Sequence, residues 1–181
     1  MTIRDWLEGL SYKLVQGSLD VEVNEVVYDS RKAAPGAVFV CMKGTKIDSH
    51  DFVGQVTDAG VKVLVTEHAV EAPADVTVVE TANGREALAL LSAARFGYPS
   101  RKLTMIGVTG TKGKTTTTHM IKTILETAGK KTGMIGTNGV YIGEEHFPTV
   151  NTTPESYDLH RYFAKMVEEG CECCVMEVSS Q

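Results

Sequence analysis

The chain has 181 residues, 43% hydrophobic and 23% charged, with 18 Lys plus Arg against 23 Asp plus Glu and a net charge of -5. Those proportions belong to one ordinary globular domain or two small ones, and exclude a disordered tail, a collagen-like repeat and a disulfide scaffold. A mildly acidic balance argues against nucleic-acid and membrane-surface partners, which need a basic field. No apolar run approaches the roughly 20 residues of a membrane span, and the N-terminus lacks the apolar core of a secretion signal. The four cysteines are Cys41, Cys171, Cys173 and Cys174. Their spacing supplies no second ligand pair for zinc, so they read as reduced core residues of a cytoplasmic protein.

In chain order, Ile3 to Leu10 predicts a short helix. Val21 to Tyr28 alternates as a strand does. Pro35-Gly36 is a turn that leads into a buried strand, Ala37 to Cys41. Asp51 to Ala59 predicts a helix stopped by Gly60. Val61 to Thr66 and Val76 to Glu80 predict two more apolar strands. Leu88, Leu91, Ala94 and Arg95 fall at helical spacing within Gly84 to Phe96, and Gly97 and Pro99 end that helix. The second part opens with a buried strand, Leu103 to Val108, then a glycine-rich turn and a helix from Lys114 to about Ala128. Lys131 to Thr137 predicts a strand, and Val140 to Phe147 a hairpin around Gly143. Thr153 and Pro154 predict the cap and first residue of a helix running to Glu169. Cys173 to Val178 predicts a last buried strand. Strand and helix alternate, so the fold class is α/β with a parallel layer, its active edge at the C-terminal ends of the strands. Residues 1–98 and 99–181 are the expected domains. A nucleotide-binding sheet usually has more strands than the second part offers, which suggests a truncated domain.

The segment Gly107-Val108-Thr109-Gly110-Thr111-Lys112-Gly113-Lys114-Thr115-Thr116 follows an apolar strand and opens a helix, the context of a phosphate-binding loop. Glycines let backbone N–H groups curl around phosphate oxygens, and the helix N-terminus adds partial positive charge. Lys114 is placed to meet the outer phosphates, and the Thr115 hydroxyl to hold Mg2+. Val108 stands where the strict pattern has glycine. Glu177 lies at a strand end between apolar Val175 and Val178, and a carboxylate buried there needs a partner or a metal. Taken alone, Asp29-Ser30-Arg31 reads as a strand end with a surface ion pair. The five histidines are scattered and read as mostly solvated.

The loop Thr109 to Thr116 resembles the ATP loop of the Mur ligases, ATP-dependent amino-acid ligases of peptidoglycan assembly, with Lys112 where Asn is usual. Three further segments resemble the same family in order and spacing. Asp29-Ser30-Arg31 followed by Pro35 to Val40 is similar to its uridine-diphosphate-binding N-terminal domain. Asn151-Thr152-Thr153-Pro154-Glu155-Ser156 is similar to the substrate loop of the MurE branch, and Met176 to Ser180 to the MurE strand end with a magnesium ligand. The resemblance implies an N-terminal UDP-sugar-binding domain and the first part of an ATP-binding domain. It implies that Tyr28 and Ser30, with Thr45, Lys46 and Ile47 beside them, contact the uridine part. Gly110, Thr111, Lys112, Gly113, Lys114, Thr115 and Thr116 would wrap the ATP phosphates, with Lys114 the catalytic cation. Asn151, Thr152, Thr153 and Ser179 would hold the sugar-peptide. Thr115 and Glu177 would share Mg2+. Gln181 stands where many relatives have His.

The implied activity adds a third residue, lysine or diaminopimelate, to UDP-N-acetylmuramoyl-L-alanyl-D-glutamate through an acyl phosphate. That chemistry needs positioning and charge neutralisation more than a protein nucleophile. Two alternatives stay open: a non-catalytic UDP-sugar binder, and a related folate or poly-amino-acid ligase lacking the uridine-binding segment. Which amino acid is added and the oligomeric state also stay open.

Overall fold

Short apolar runs alternate with helices along the chain, and they assemble into two separate five-stranded sheets. In the computed structural model, residues 1–44 and 47–179 are described. The chain divides into two compact units, Met1–Arg95 and Phe96–Gln181.

The first unit contains α1 (Ile3–Trp6), β1 (Lys13–Gln16), β2 (Glu25–Val27), β3 (Ala37–Val40), α2 (Val53–Asp58), β4 (Val63–Thr66), β5 (Thr77–Glu80) and α3 (Gly84–Arg95). Its strand order is β1-β5-β4-β3-β2. β2 to β5 are mutually parallel, and β1 is antiparallel to β5. β3 and β4 are buried at every position and apolar at all but one, Thr66. Unbroken burial of this kind follows from cover on both faces of a parallel sheet. Phe39, Leu64 and Val78 pack with Val53 and Val56 of α2. α3 buries Ala87, Leu88, Leu91 and Ala94 and packs on α1, β2, β3 and β4.

Two expectations for this unit are corrected. The helix from Ile3 stops at Trp6, because Gly9 takes a left-handed φ of +83° and turns the chain. Only Glu25–Val27 of the alternating run joins the sheet. The residues before it pair instead with the N-terminus: Ile3 N–H donates to Val21 O and Val23 N–H donates to Met1 O.

The second unit contains β6 (Thr104–Val108), α4 (Lys114–Thr127), β7 (Thr132–Gly136), β8 (Gly139–Ile142), β9 (Glu145–Phe147), α5 (Ser156–Glu168) and β10 (Cys173–Glu177). The strand order is β6-β10-β7-β8-β9, with β6, β10 and β7 parallel and β8 and β9 an antiparallel meander. α5 buries Tyr162, Phe163 and Met166 against Ile135, Val140, Ile142 and Cys174. β10 and β7 are buried throughout. β6, expected to be buried, is half exposed: it is an edge strand, hydrogen-bonded to β10 on one side among the described residues. All four cysteines are free and buried. Burial pushes the Cys41 and Cys174 thiols up to about 12. Among the described residues, no helix is long and apolar enough to cross a membrane.

Candidate functional site

β6 delivers the chain to an exposed loop, residues 109–113, and α4 begins at Lys114. Gly110 has φ +142° and Gly113 has φ +79°, conformations that favour glycine, and a Cβ at Gly113 would meet open space. Backbone conformation therefore requires the glycine there, not crowding. Gly113 caps α4 without a side chain, and the first turn of α4 carries no acidic residue. Its leading N–H groups thus face outward with the helix dipole behind them, which is the physics of an anion site. Lys114 Nζ donates to Gly110 O at 2.8 Å, folding its ammonium over the loop. Thr115 and Thr116 occupy the next two positions of the same turn.

β10 runs parallel beside β6 in register, Glu177 opposite Val108. Glu177 therefore comes level with the point where the 109–113 loop leaves its strand. Glu177 is 1% exposed. Thr137 N–H donates to its Oε1 at 2.9 Å and Thr137 Oγ donates to its Oε2 at 3.3 Å. No cationic side chain pairs with it among the described residues. A Cβ on Gly136 would lie 2.4 Å from Glu177 Oε1, so only glycine lets the carboxylate sit against β7. A buried carboxylate met, among the described residues, only by neutral donors suits a hard cation, and a carboxylate or a hydroxyl such as that of Thr115 is the oxygen ligand that Mg2+ prefers.

The same strand end fastens the 151–153 segment. Thr153 Oγ donates to Glu177 O at 3.0 Å and accepts Ser179 N–H at 3.0 Å, with Ser179 Oγ 2.9 Å away. Thr152 Oγ lies 3.1 Å from Thr137 Oγ. Thr152, Thr153, Ser179 and Glu177 are thus one connected set of polar groups. Asn151 is exposed beside them, its carbonyl accepting from Thr149 Oγ at 3.1 Å. This corrects the helix-cap expectation: the Thr153 hydroxyl is committed elsewhere, α5 starts at Ser156, and Glu155 caps it by accepting Ser156 N–H. Thr137 was missed in the sequence. Its place one residue beyond the end of β7, at the active edge of the parallel layer, was the available signal.

In the first unit, Tyr28, Asp29, Ser30, Arg31, Ile47, Ser49, Phe52 and Gln55 line a cleft of about 640 Å³. Tyr28, Ser30 and Ile47 therefore share one wall system, to which Ser49, Phe52 and Gln55 are additions; Thr45 and Lys46 lie outside the described residues. Arg31 pairs with Asp29 at 2.6 Å, and the guanidinium holds the Asp29 carboxyl down to about 2. The local fold explains the placement: β2 ends at Val27, and Asp29 caps the single turn Ser30–Lys32 by accepting Arg31 N–H. The expectation of solvated histidines fails at His50, which is 7% exposed beneath this cleft's Ser49–Phe52 turn.

Comparison with known proteins agrees in sequence and fold. The family model described as Mur ligase family, catalytic domain, matches residues 22–96, and the Mur ligase middle domain matches residues 108–181. The UDP-N-acetylmuramoyl-L-alanyl-D-glutamate–2,6-diaminopimelate ligase of Clostridium perfringens is 46% identical over 180 residues, 99% of this chain and 37% of that one. The like-named ligase of Geobacillus thermodenitrificans is 47% identical over 164 residues, covering 91% of this chain and 33% of its own length. The chain thus spans little more than a third of the curated relatives it matches. Among solved structures, MurF from Acinetobacter baumannii superposes with a TM-score of 0.66 at 25% identity, over 99% of this chain and 36% of that one. A UDP-N-acetylmuramoyl-L-alanyl-D-glutamate–2,6-diaminopimelate ligase superposes at 0.79 with 18% identity over the same shares, a likeness of fold. With two domain models in the expected order and relatives of this identity along its whole length, the chain belongs to the Mur ligase family.

Proposed function

We propose that the chain is the UDP-sugar-binding and nucleotide-binding part of an ATP-dependent ligase that adds diaminopimelate to UDP-N-acetylmuramoyl-L-alanyl-D-glutamate. One observation carries the reading. A buried carboxylate with no cationic partner among the described residues, Glu177, stands in register with the strand that feeds the glycine-rich loop, and the Thr152, Thr153 and Ser179 hydroxyls are tied to the same strand end. A nucleotide's terminal phosphates and the substrate carboxylate that attacks them must meet at one place, and this edge offers groups for both. Mg2+ held by Thr115 and Glu177 would neutralise charge that develops during phosphoryl transfer.

The chain's own residues do the rest. Backbone N–H groups of 110–116 bind the phosphates. Lys114 leaves Gly110 O and turns its ammonium to the outermost phosphate. Asn151, Thr152, Thr153 and Ser179 orient the peptide end of the substrate, and the cleft bounded by Tyr28, Ser30 and Ile47 takes the uridine. Diaminopimelate, rather than lysine, is favoured by what the relatives are named for. An ATP-consuming reaction on a nucleotide-linked precursor, together with four free thiols, supports a cytoplasmic location.

By itself the 181-residue chain binds ligands and does not ligate, since most of the length of those ligases has no counterpart in it. Calorimetric titration tests the reading. UDP and Mg-ATP should each bind with a stoichiometry of one, independently abolished by a change in the cleft or in the loop. Absence of both heats would refute it, and peptide-ligase turnover by the purified chain would refute the binding-only part.

A further inference from the structure

The cleft wall formed by Ile47, Ser49, Phe52 and Gln55 is held by a small polar cluster that the binding contacts do not use. Asp48 caps the Ser49–Phe52 turn, its Oδ1 accepting His50 N–H at 3.1 Å. The His50 ring lies behind the turn, with Nδ1 2.5 Å from the same Asp48 oxygen and Nε2 2.9 Å from the backbone N–H of Glu67. Glu67 follows β4 directly. Its carboxylate accepts Lys43 N–H at 2.9 Å and Gly84 N–H at 2.8 Å. One residue at the end of a central strand thus holds the chain at two points, by its carboxylate at Lys43 and by its amide at His50. His68 stacks on His50 with ring centroids 3.9 Å apart.

Asp48, His50 and His68 each bring a ligand atom within 4.8 Å of the others, the grouping of a cation site. The hydrogen bonds assign His50 a different role. A backbone N–H can only donate, so Nε2 of His50 must present its lone pair to Glu67. In the neutral ring the proton then sits on Nδ1 and is donated to Asp48. A nitrogen bearing that proton is no metal ligand. The ring is instead a two-ended strut between the cap of the turn and the end of β4.

We infer that His50 is a positioning residue for nucleotide recognition: it transmits the rigidity of β4, through Glu67 N–H and Asp48, to the wall that closes on a uridine. The inference rests on the uridine reading of the cleft. Without the strut, the Ser49–Phe52 turn keeps its Asp48 cap but loses its tie to the sheet, and the bound geometry must be selected from a wider set of wall positions. That cost falls on affinity rather than on the contacts themselves.

UDP titration of the 181-residue chain tests this, using two variants that split the strut. His50→Gln puts an amide oxygen near the place of Nε2 and keeps an acceptor for Glu67 N–H. His50→Asn keeps a donor to Asp48 and abandons Glu67. Leu88→Ala, at a fully buried position of α3 that does not line the cleft, supplies a destabilised control. UDP affinity should fall about tenfold in His50→Asn, a loss of one net hydrogen bond's worth. It should stay within about threefold of the parent in His50→Gln, and be unchanged in Leu88→Ala at a comparable loss of melting temperature. Parent-like affinity in His50→Asn would overturn the inference. If that variant fails to fold, a tenfold loss in folded His50→Gln overturns it equally, because that variant retains the tie. A rise in melting temperature of the parent on adding Zn2+ alone, absent in both variants, would show Nδ1 free to ligate and remove the tautomer on which the strut depends. No UDP binding by the parent would instead defeat the uridine reading itself, and this inference with it.

Discussion

Glu177→Gln should make the metal-free second unit more stable while ending its response to Mg-nucleotide. The carboxylate is 1% exposed, and its partners are the Thr137 N–H and, more weakly, the Thr137 hydroxyl. An amide oxygen can keep the N–H bond, and the amide nitrogen can donate to the hydroxyl once that rotates. Passing from charge-assisted to neutral bonds costs about 1 kcal/mol for the well-formed contact and less for the 3.3 Å one. Against this, an ion out of water that no cationic side chain meets among the described residues carries a penalty of several kcal/mol, which two neutral donors offset only in part. The balance is a gain of about 1–2 kcal/mol, or roughly 4–16 °C in the melting point of a unit of this size. With Mg-ATP at about 100 times its dissociation constant the parent should gain about 2.7 kcal/mol and the variant almost nothing, reversing their order. Differential scanning calorimetry with and without Mg-ATP reads both effects. Trp6, the sole tryptophan, lies in the first unit and would not report this transition. A metal-free Glu177→Gln that melts lower than the parent would show the carboxylate to be a structural clasp between β10 and Thr137, and would refute the argument.

Lys114→Ala should abolish Mg-ATP binding and leave the UDP heat intact, whereas Ser30→Ala should weaken UDP by about 1 kcal/mol and leave Mg-ATP alone; loss of both ligands in either variant would indicate misfolding. The Asp29 carboxyl, held down to about 2 by Arg31, should titrate near that value by carbon-detected NMR and return towards 3.8 in Arg31→Ala. A depressed carboxyl contributes stability above its unfolded value, so this contribution should fade as pH drops from about 4 to about 2 and be flat at neutral pH. Thiol reagents should leave Cys41 and Cys174 untouched in the native chain, with thiols pushed up to about 12, and label them only in denaturant; rapid native labelling would contradict the burial.

Legibility from sequence followed the range of the interaction involved. β3 could be read because Pro35-Gly36 and an unbroken apolar run fix it locally. The strand, glycine-rich loop and helix over residues 104–127 were legible for the same reason, since strand, glycines, lysine and helix start are contiguous. β1 was not: Lys13–Gln16 has three exposed positions and becomes a strand only by pairing with β5 more than sixty residues later. Thr137 reaches Glu177 across forty residues, a contact no local pattern announces. Thr153 shows both sides of this. Its position before Pro154 is a good local cap signal, and the hydroxyl is nonetheless taken by a strand end in the tertiary fold.

The fastening of Thr153 to the backbone of residues 177 and 179 separates what must be exact from what can drift. Between Thr137 and Thr152 the chain makes a hairpin excursion through β8 and β9, yet both ends of that excursion are pinned to the end of β10. The tip at Gly143 lies beside Lys131, at the end of the sheet away from those pins, so lengthening or trimming it would leave both unmoved, which makes it the natural place to graft a tag or reporter without disturbing the reaction edge.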